Sequence, residues 1–224
     1  AKELAELLMH TGQSFGQKVS VVFSNMNSPL GNAVGNALEM IEAIEYLKGR
    51  YLPDTYELTT ALTAEMLISA GLAVDFMAAK EMIDNAVSSG KALDKFREII
   101  QAQGGNPRVL DDYGLFDAVK VVEPIIADQA GYVHSIDSRA IGYALVRIKA
   151  GRMVVSDAID YSAGALLYPK IGDKLAVGDK IGEVHAASTE AAKEVADLIR
   201  RAYKINPLPK AKEDLIFEIA RTEG

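Results

Sequence analysis

The sequence predicts a mixed α/β chain, in which a helix-rich part with one short strand is followed by a small barrel-like C-terminal α/β subdomain. Three observations carry that reading. Up to residue 105, apolar residues recur at the three- and four-residue spacing of one helix face, window after window. Between Gly104 and Gly114, in Gly-Gly-Asn-Pro-Arg-Val-Leu-Asp-Asp-Tyr-Gly, residue usage shifts from Leu, Met and Ala to Val, Ile and Gly. Beyond it Gly-Asp-Lys occurs twice, at Gly172-Asp173-Lys174 and Gly178-Asp179-Lys180, and turns this closely spaced build a compact β-barrel or sandwich. The boundaries that follow are 1–105, a linker over 106–117, and 118–224.

Each element has its own signal. Leu4, Leu7, Leu8 and Phe15 predict an amphipathic helix over 1–15 with no capping residue ahead of it. Val19, Val21, Val22 and Phe23 then predict one buried strand, closed by the turn-rich Asn25-Met26-Asn27-Ser28-Pro29. Asn36 and Glu39 have the spacing of a capping box ahead of Ala37, Met40, Ile41, Ile44 and Leu47, and Gly49 stops that helix. Asp54 and Glu57 repeat the signature before Leu58, Leu62, Met66 and Leu67, with Gly71 as the stop. Asp75 opens a helix through Ala79, Met82, Ile83 and Ala86 to Gly90. The next runs from Lys91 through Leu93, Phe96, Ile99 and Ile100 to Gly104.

After the linker, 119–126 and 131–136 read as strands. Pro124 places the first at a sheet edge, because proline cannot donate to a ladder. Asp137-Ser138 caps a helix through Ile141, Leu145 and Ile148 to Gly151, and short apolar strands lie between and after the Gly-Asp-Lys turns. Ser188 opens the last long helix, which carries Val195, Leu198, Ile199 and Ala202. Pro207 and Pro209 break the chain, and 215–219 can close as a strand.

Composition narrows the function classes. Among 224 residues, 49% are hydrophobic and 25% charged, the balance of a globular chain and not of a disordered one. Lys plus Arg number 24 against 31 Asp plus Glu, and a net charge of -7 without long basic runs offers no field for a phosphate backbone, so no nucleic-acid partner is expected. Cys is absent, which excludes disulfides, a thiolate nucleophile and Cys-based zinc sites. No apolar run approaches the roughly 18 to 20 residues that span a bilayer, and the acidic opening is not that of a signal peptide. The expectation is a soluble cytoplasmic chain without a membrane partner.

Few residues suggest chemistry. His10, His134 and His185 are the only imidazoles, none has an obvious partner in the sequence, and each reads as structural. No His-Glu-x-x-His pair exists for hydrolytic zinc, and neither Gly35-Asn36 nor Gly90-Lys91 has the further glycines of a dinucleotide or P-loop cradle. Asp111-Asp112, and Asp157 with Asp160, read as turn-forming carboxylates. Met26, Met40, Met66, Met77 and Met82 read as core fillers. The segment from Pro29 to Glu42 is more informative. A glycine-containing loop, Pro29-Leu30-Gly31-Asn32-Ala33-Val34-Gly35, runs directly into a helix carrying Glu39 and Glu42. Main-chain carbonyls with a carboxylate make an all-oxygen site suited to a hard cation; an ordinary capped helix accounts for the same residues, and on the residues alone it is favoured.

That segment, read with Ser24-Asn25-Met26-Asn27-Ser28-Pro29-Leu30-Gly31, Gly35-Asn36-Ala37-Leu38-Glu39, Glu42-Ala43-Ile44, Gly90-Lys91-Ala92, Ala102-Gln103-Gly104-Gly105, Ala130-Gly131-Tyr132-Val133, Gly151-Arg152, Ile159-Asp160 and Ile171-Gly172-Asp173, resembles the thymidine and pyrimidine-nucleoside phosphorylases. The match runs in order along essentially the whole chain, with Asn25 where the family pattern usually has Asp. The resemblance implies phosphorolysis, in which inorganic phosphate as co-substrate converts a pyrimidine nucleoside to free base and pentose 1-phosphate, in a homodimer. It implies that 1–105 belong to the central α/β domain and 118–224 to the C-terminal subdomain, and the Pro29-Leu30-Gly31 wording is closer to members acting on both uridine and thymidine. It implies a potassium ion held in part by the main-chain carbonyls of Leu30 and Ala33 and the carboxylate of Glu42. The family's Gly-His-Thr-Gly-Gly-Thr phosphate loop, its catalytic histidine and the Arg and Lys that hold the base match nothing here. No residue of this chain is therefore assigned to catalysis or substrate binding, and the expectation is one portion of an enzyme, inactive alone and completed by a missing N-terminal portion. The Gly-Asp-Lys turns also resemble lipoyl and biotinyl carriers, which makes a non-catalytic carrier or interaction module the alternative.

Overall fold

The computed structural model describes residues 1–222. In chain order the elements are α1 (Lys2–Ser14), β1 (Ser20–Ser24), β2 (Ala33–Val34), α2 (Asn36–Leu47), α3 (Pro53–Ser69), α4 (Phe76–Ser88), α5 (Lys91–Ala102), β3 (Val121–Ile126), β4 (Gly131–Ile136), α6 (Ser138–Arg147), β5 (Gly164–Leu167), β6 (Lys174–Leu175), β7 (Lys180–Ala186), α7 (Thr189–Ala202), β8 (Tyr203–Asn206) and β9 (Ile216–Arg221). Two 3-10 turns, Pro107–Leu110 and Tyr113–Leu115, lie between α5 and β3. The chain divides into two compact units, neither contiguous in sequence. One comprises residues 1–25, 47–95 and the stretch from Asp214 onward; the other comprises 26–46 and 96–213.

In the first unit β1 and β9 form a two-stranded antiparallel ribbon. Helices α3 and α4 pack together, with Ala64, Ala79, Ile83 and the connecting residue Ala73 buried. The Asp75 carboxylate accepts the Ala78 N–H at 2.8 Å, so α4 begins where the sequence placed it. Helix α1 also forms, yet only Ala5 of it is buried, and Leu4, Leu7, Leu8 and Phe15 are exposed. Two carboxylates, Glu65 and Asp84, are held by named partners. Arg221 grips Glu65 with two N–H groups, and Asp84 accepts from Tyr56 at 2.7 Å and from Lys80 at 2.6 Å.

The second unit holds the main core. A four-stranded antiparallel sheet has the order β2-β5-β7-β3, and a three-stranded one the order β6-β4-β8. Helix α7 packs on β3 and β7 and against α6. Its buried residues, Ala192, Val195, Ala196, Ile199 and Ala202, follow the three- and four-residue spacing of one face. They meet Ile125, Ile141, Leu167, Ile181 and Val184, all almost fully buried. Each such side chain contributes about 1.5 to 3 kcal/mol by leaving water. Asp137 caps α6 through the Ala140 N–H, and Ser188 caps α7 through the Ala191 N–H, as the sequence indicates. Pro124 does lie on an edge strand, β3.

Several expectations are corrected. The mixed α/β class holds, but the C-terminal part is not barrel-like: its strands fall in three separate sheets, β9 pairing with β1, and none of the three closes. The helix expected at Asn36 begins one residue earlier in its capping. Glu39 N–H donates to the Gly35 carbonyl and the Glu39 carboxylate accepts the Gly35 N–H at 2.9 Å, while the Asn36 side chain donates to the Ala150 carbonyl. Helix α3 begins at Pro53 after Leu52, with no side-chain cap, because proline needs no donor in the first turn. Strands β2, β5 and β8 carry no local sequence signal. They are two to four residues long, and their pairing partners are remote in sequence.

Candidate functional site

The loop from Pro29 to Gly35 is held from both sides by charge. Its frame is β2, which pairs with β5 through Ala33 opposite Leu166 and Val34 opposite Ala165, with Leu167 N–H donating to the Asn32 carbonyl at 2.7 Å. In this antiparallel register Ala33 occupies a non-hydrogen-bonded position, so its N–H and carbonyl both point away from β5. Gly31 at φ +66° supplies the bend that brings the loop into the strand.

Glu42 sits in the second turn of α2, facing the loop. Its Oε2 accepts the N–H of Asn32 at 2.8 Å and of Ala33 at 3.0 Å. Among the described residues its Oε1 has no hydrogen-bond partner. On the other side, Lys170 donates from Nζ to the Pro29 carbonyl at 2.7 Å and to the Gly31 carbonyl. Carboxylates thus meet amide N–H groups and an ammonium meets carbonyls, each pairing charge-assisted and stronger than a neutral one.

Of the three residues expected to hold a cation, the structure brings Glu42 and Ala33 together directly. Leu30 lies between the two carbonyls drawn to Lys170, is 43% exposed, and shares no hydrogen bond with Glu42. Among the described residues no three His, Asp or Glu side chains form a metal cluster, and a site of main-chain carbonyls is of a different kind.

The remaining candidates fall as turns and pairs. Asp112 accepts the Gly114 N–H, Asp157 accepts the N–H groups of Met153 and Val154, and Asp160 accepts from Ser162, while Asp111 pairs with Arg97. His10 lies on α1, and the His134 ring nitrogen Nε2 contacts the Leu208 carbonyl. His185, however, does have a partner that the sequence reading missed. Its Nε2 lies 3.0 Å from Glu183, which also receives Lys180. The signal was the period-two spacing of Glu183 and His185 on β7, which puts both on one face of the strand. Burial raises the cost of charging Glu183, yet the hydrogen bonds from Lys180 and His185 prevail and hold its carboxyl below the usual range. Lys174 and Lys180, the lysines of the two Gly-Asp-Lys turns, stand over the rings of Tyr132 and Tyr168.

Comparison with known proteins now bears on these residues. Residues 132–206 match the family described as pyrimidine nucleoside phosphorylase C-terminal domain. The thymidine phosphorylase of Burkholderia orbicola (strain MC0-3) is 36% identical over 219 residues, covering 97% of this chain and 50% of the relative. That of Burkholderia cenocepacia (strain HI2424) is 36% identical over 95% of the chain and 49% of its own length, and that of Burkholderia lata is 37% identical over 97% and 50%. The chain spans about half the length of the curated relatives it matches. The family resemblance read from the motifs is therefore borne out: the chain is similar to thymidine phosphorylases along nearly all of its length, and its residues 132–206 match the pyrimidine nucleoside phosphorylase C-terminal domain family.

Proposed function

We propose that this chain is the supporting portion of a pyrimidine-nucleoside phosphorylase acting on uridine and thymidine. The observation that carries the reading is similarity to thymidine phosphorylases over 95 to 97% of the chain, loop and C-terminal subdomain included. In the reaction a phosphate oxygen bonds to the anomeric carbon as the bond from that carbon to the base nitrogen breaks. The electron pair of the broken bond leaves with the base, which takes up a proton. Binding phosphate and base is the work of residues outside these 224, since neither the phosphate loop nor the base-holding Arg and Lys occurs here.

The part of this chain is to present the loop from Pro29 to Gly35 in fixed form. Leu30 and Ala33 carbonyls with the Glu42 carboxylate would hold potassium, and of these Ala33 and Glu42 lie together in a way that fits such an ion. Ala33 turns its carbonyl away from β5, on the side where Glu42 takes its N–H, and the Glu42 Oε1 is uncommitted. A bound potassium ion would supply positive charge that draws neighbouring main-chain oxygens together. The complete enzyme in this reading is a cytoplasmic homodimer. No helix among the described residues is long and apolar enough to cross a membrane.

The test is phosphate-dependent release of uracil from uridine and of thymine from thymidine, followed chromatographically. The chain alone is expected to release neither, and adding the N-terminal half of a relative is expected to produce activity. Turnover by the purified chain alone at an ordinary enzymatic rate overturns the supporting role. Absence of activity in every combination overturns the phosphorylase reading.

A further inference from the structure

One charged side chain that the proposed function leaves without a role is Lys170, and its placement is built by the turn that follows it. Asp173 Oδ2 accepts the Lys170 N–H at 2.9 Å, Asp173 N–H returns to the Lys170 carbonyl, and Gly172 N–H donates to the Val133 carbonyl. Gly172 has φ +92°, and a Cβ there would lie 2.9 Å from the Lys210 carbonyl oxygen. Pro169 and Ile171 on either side of Lys170 are buried. The base of the side chain is therefore fixed while its ammonium reaches the loop.

The second Gly-Asp-Lys turn acts as an internal control. Asp179 Oδ2 accepts the Ala176 N–H at 2.7 Å and Gly178 also has φ +92°, the same geometry with alanine where the first turn has lysine. The turn itself thus does not require a lysine. At position 170 the lysine serves the carbonyls of Pro29 and Gly31, on the segment whose N–H groups at Asn32, Ala33 and Gly35 are held by Glu42 and Glu39.

We propose that Lys170 is a positioning residue, a tethered cation that fixes the peptide planes of the loop so that its oxygens are arranged before any free monovalent cation arrives. A loop ordered in advance binds without the entropic cost of ordering. The positioning role stands on the geometry alone, whereas its coupling to a monovalent cation rests on the potassium reading above.

Because the chain contains no cysteine, Lys170→Cys introduces a unique thiol. Aminoethylation with 2-aminoethyl methanethiosulfonate restores an ammonium at nearly lysine length, and the ethyl reagent adds similar bulk without charge. Amide hydrogen exchange is read at residues 30–35 in buffer with choline as the sole monovalent cation, then across a potassium titration. Lys170→Cys is expected to speed exchange at Asn32 and Ala33 roughly tenfold, the loss of about one charge-assisted hydrogen bond, while α7 amides keep their protection. Aminoethylation is expected to restore the slow exchange, ethylation to leave it fast, and the potassium concentration for half-maximal protection to rise in the uncharged forms. Unchanged exchange in choline, or equal rescue by both reagents, overturns the role. A protein that shows the choline effect but no response to potassium retains the positioning role and loses the potassium reading. Should the α7 amides show that the cysteine variant is unfolded, Lys170→Arg and Lys170→Met decide: arginine keeps the loop protected and methionine does not, and equal exchange in the two overturns the proposal.

Discussion

Gly35 and Gly164 meet backbone to backbone: a Cβ on Gly35 would lie 2.7 Å from the Gly164 Cα, and one on Gly164 would lie 3.1 Å from the Gly35 Cα and 2.5 Å from the Val34 carbonyl oxygen. This contact sets the start of α2 against β5, and with it the position from which Glu42 reaches the loop. Gly35 also has φ +129°, a conformation that L side chains rarely adopt.

Gly164→Ala is accordingly expected to cost about 1 to 3 kcal/mol, because the obstacle is backbone and cannot rotate away. Gly142, inside α6 with nothing within 4 Å of its Cβ direction, supplies the opposite case. Gly142→Ala is expected to stabilise by about 0.4 to 1 kcal/mol. Urea unfolding of the two variants beside the parent protein checks both signs.

Glu42→Gln keeps an acceptor oxygen but loses the charge that strengthens the bonds from Asn32 and Ala33. A loss of about 1 kcal/mol is expected from weakening two charge-assisted hydrogen bonds. In the complete enzyme the potassium concentration needed for half-maximal activity is expected to rise, with the fold intact by circular dichroism. An unchanged potassium response counts against Glu42 as a ligand.

The Glu65 and Arg221 pair predicts a pH dependence. Hydrogen bonds from Arg221 hold the Glu65 carboxyl below its usual range, against the opposing effect of burial and with help from Ser20. A depressed folded pKa contributes stability that is fully present above the unfolded value, near 4.3. It is lost as the pH falls through the folded value. Arg221→Met should therefore destabilise the protein at pH 7 by about 2 kcal/mol, with the gap to the parent closing as the pH falls below 4. Denaturation midpoints measured from pH 7 to pH 3 test this, and a gap that stays constant across the series contradicts it.

Tyr203 carries a hydroxyl that is buried and without a hydrogen-bond partner among the described residues, and burial with the nearby Asp173 charge pushes its ionisation upward. Removing an unsatisfied buried hydroxyl relieves its desolvation cost, so Tyr203→Phe is expected to be neutral or to stabilise by up to about 1 kcal/mol. A thermal melt showing a clear loss would reveal a partner for that oxygen.

Signals confined to a few adjacent residues were legible in the sequence. Asp75, Asp137 and Ser188 cap the helices they precede, and both Gly-Asp-Lys turns form with the aspartate bonding back to the chain. Signals that depend on remote partners were not legible. Ala33 and Val34 are a strand only because Leu166 and Ala165 pair with them, and nothing local announces two residues as a strand. The capping pair at Asn36 and Glu39 shifted by one residue because Asn36 has a better use against the Ala150 carbonyl. Sheet closure was misjudged for the same reason, since turn spacing fixes which strands are short but not whether the outer strands meet. At the candidate site, Glu42 and Ala33 were nameable by resemblance, whereas Lys170, some 140 positions from the carbonyls it holds, was not.

The ribbon of β1 and β9 joins residues near 20 to residues near 220, with Ser20 opposite Arg221. On a ribosome, β1 emerges long before its partner exists, and the first unit cannot complete its ribbon until β9 has been made. The stretch from β3 to β8, by contrast, contains the two helices and most of the strands of the main core within a single continuous run. Closing a long loop costs only about 0.6 kcal/mol more for each doubling of its length. The penalty is therefore one of timing: β1 waits for β9, while the run from β3 to β8 can already pair within itself.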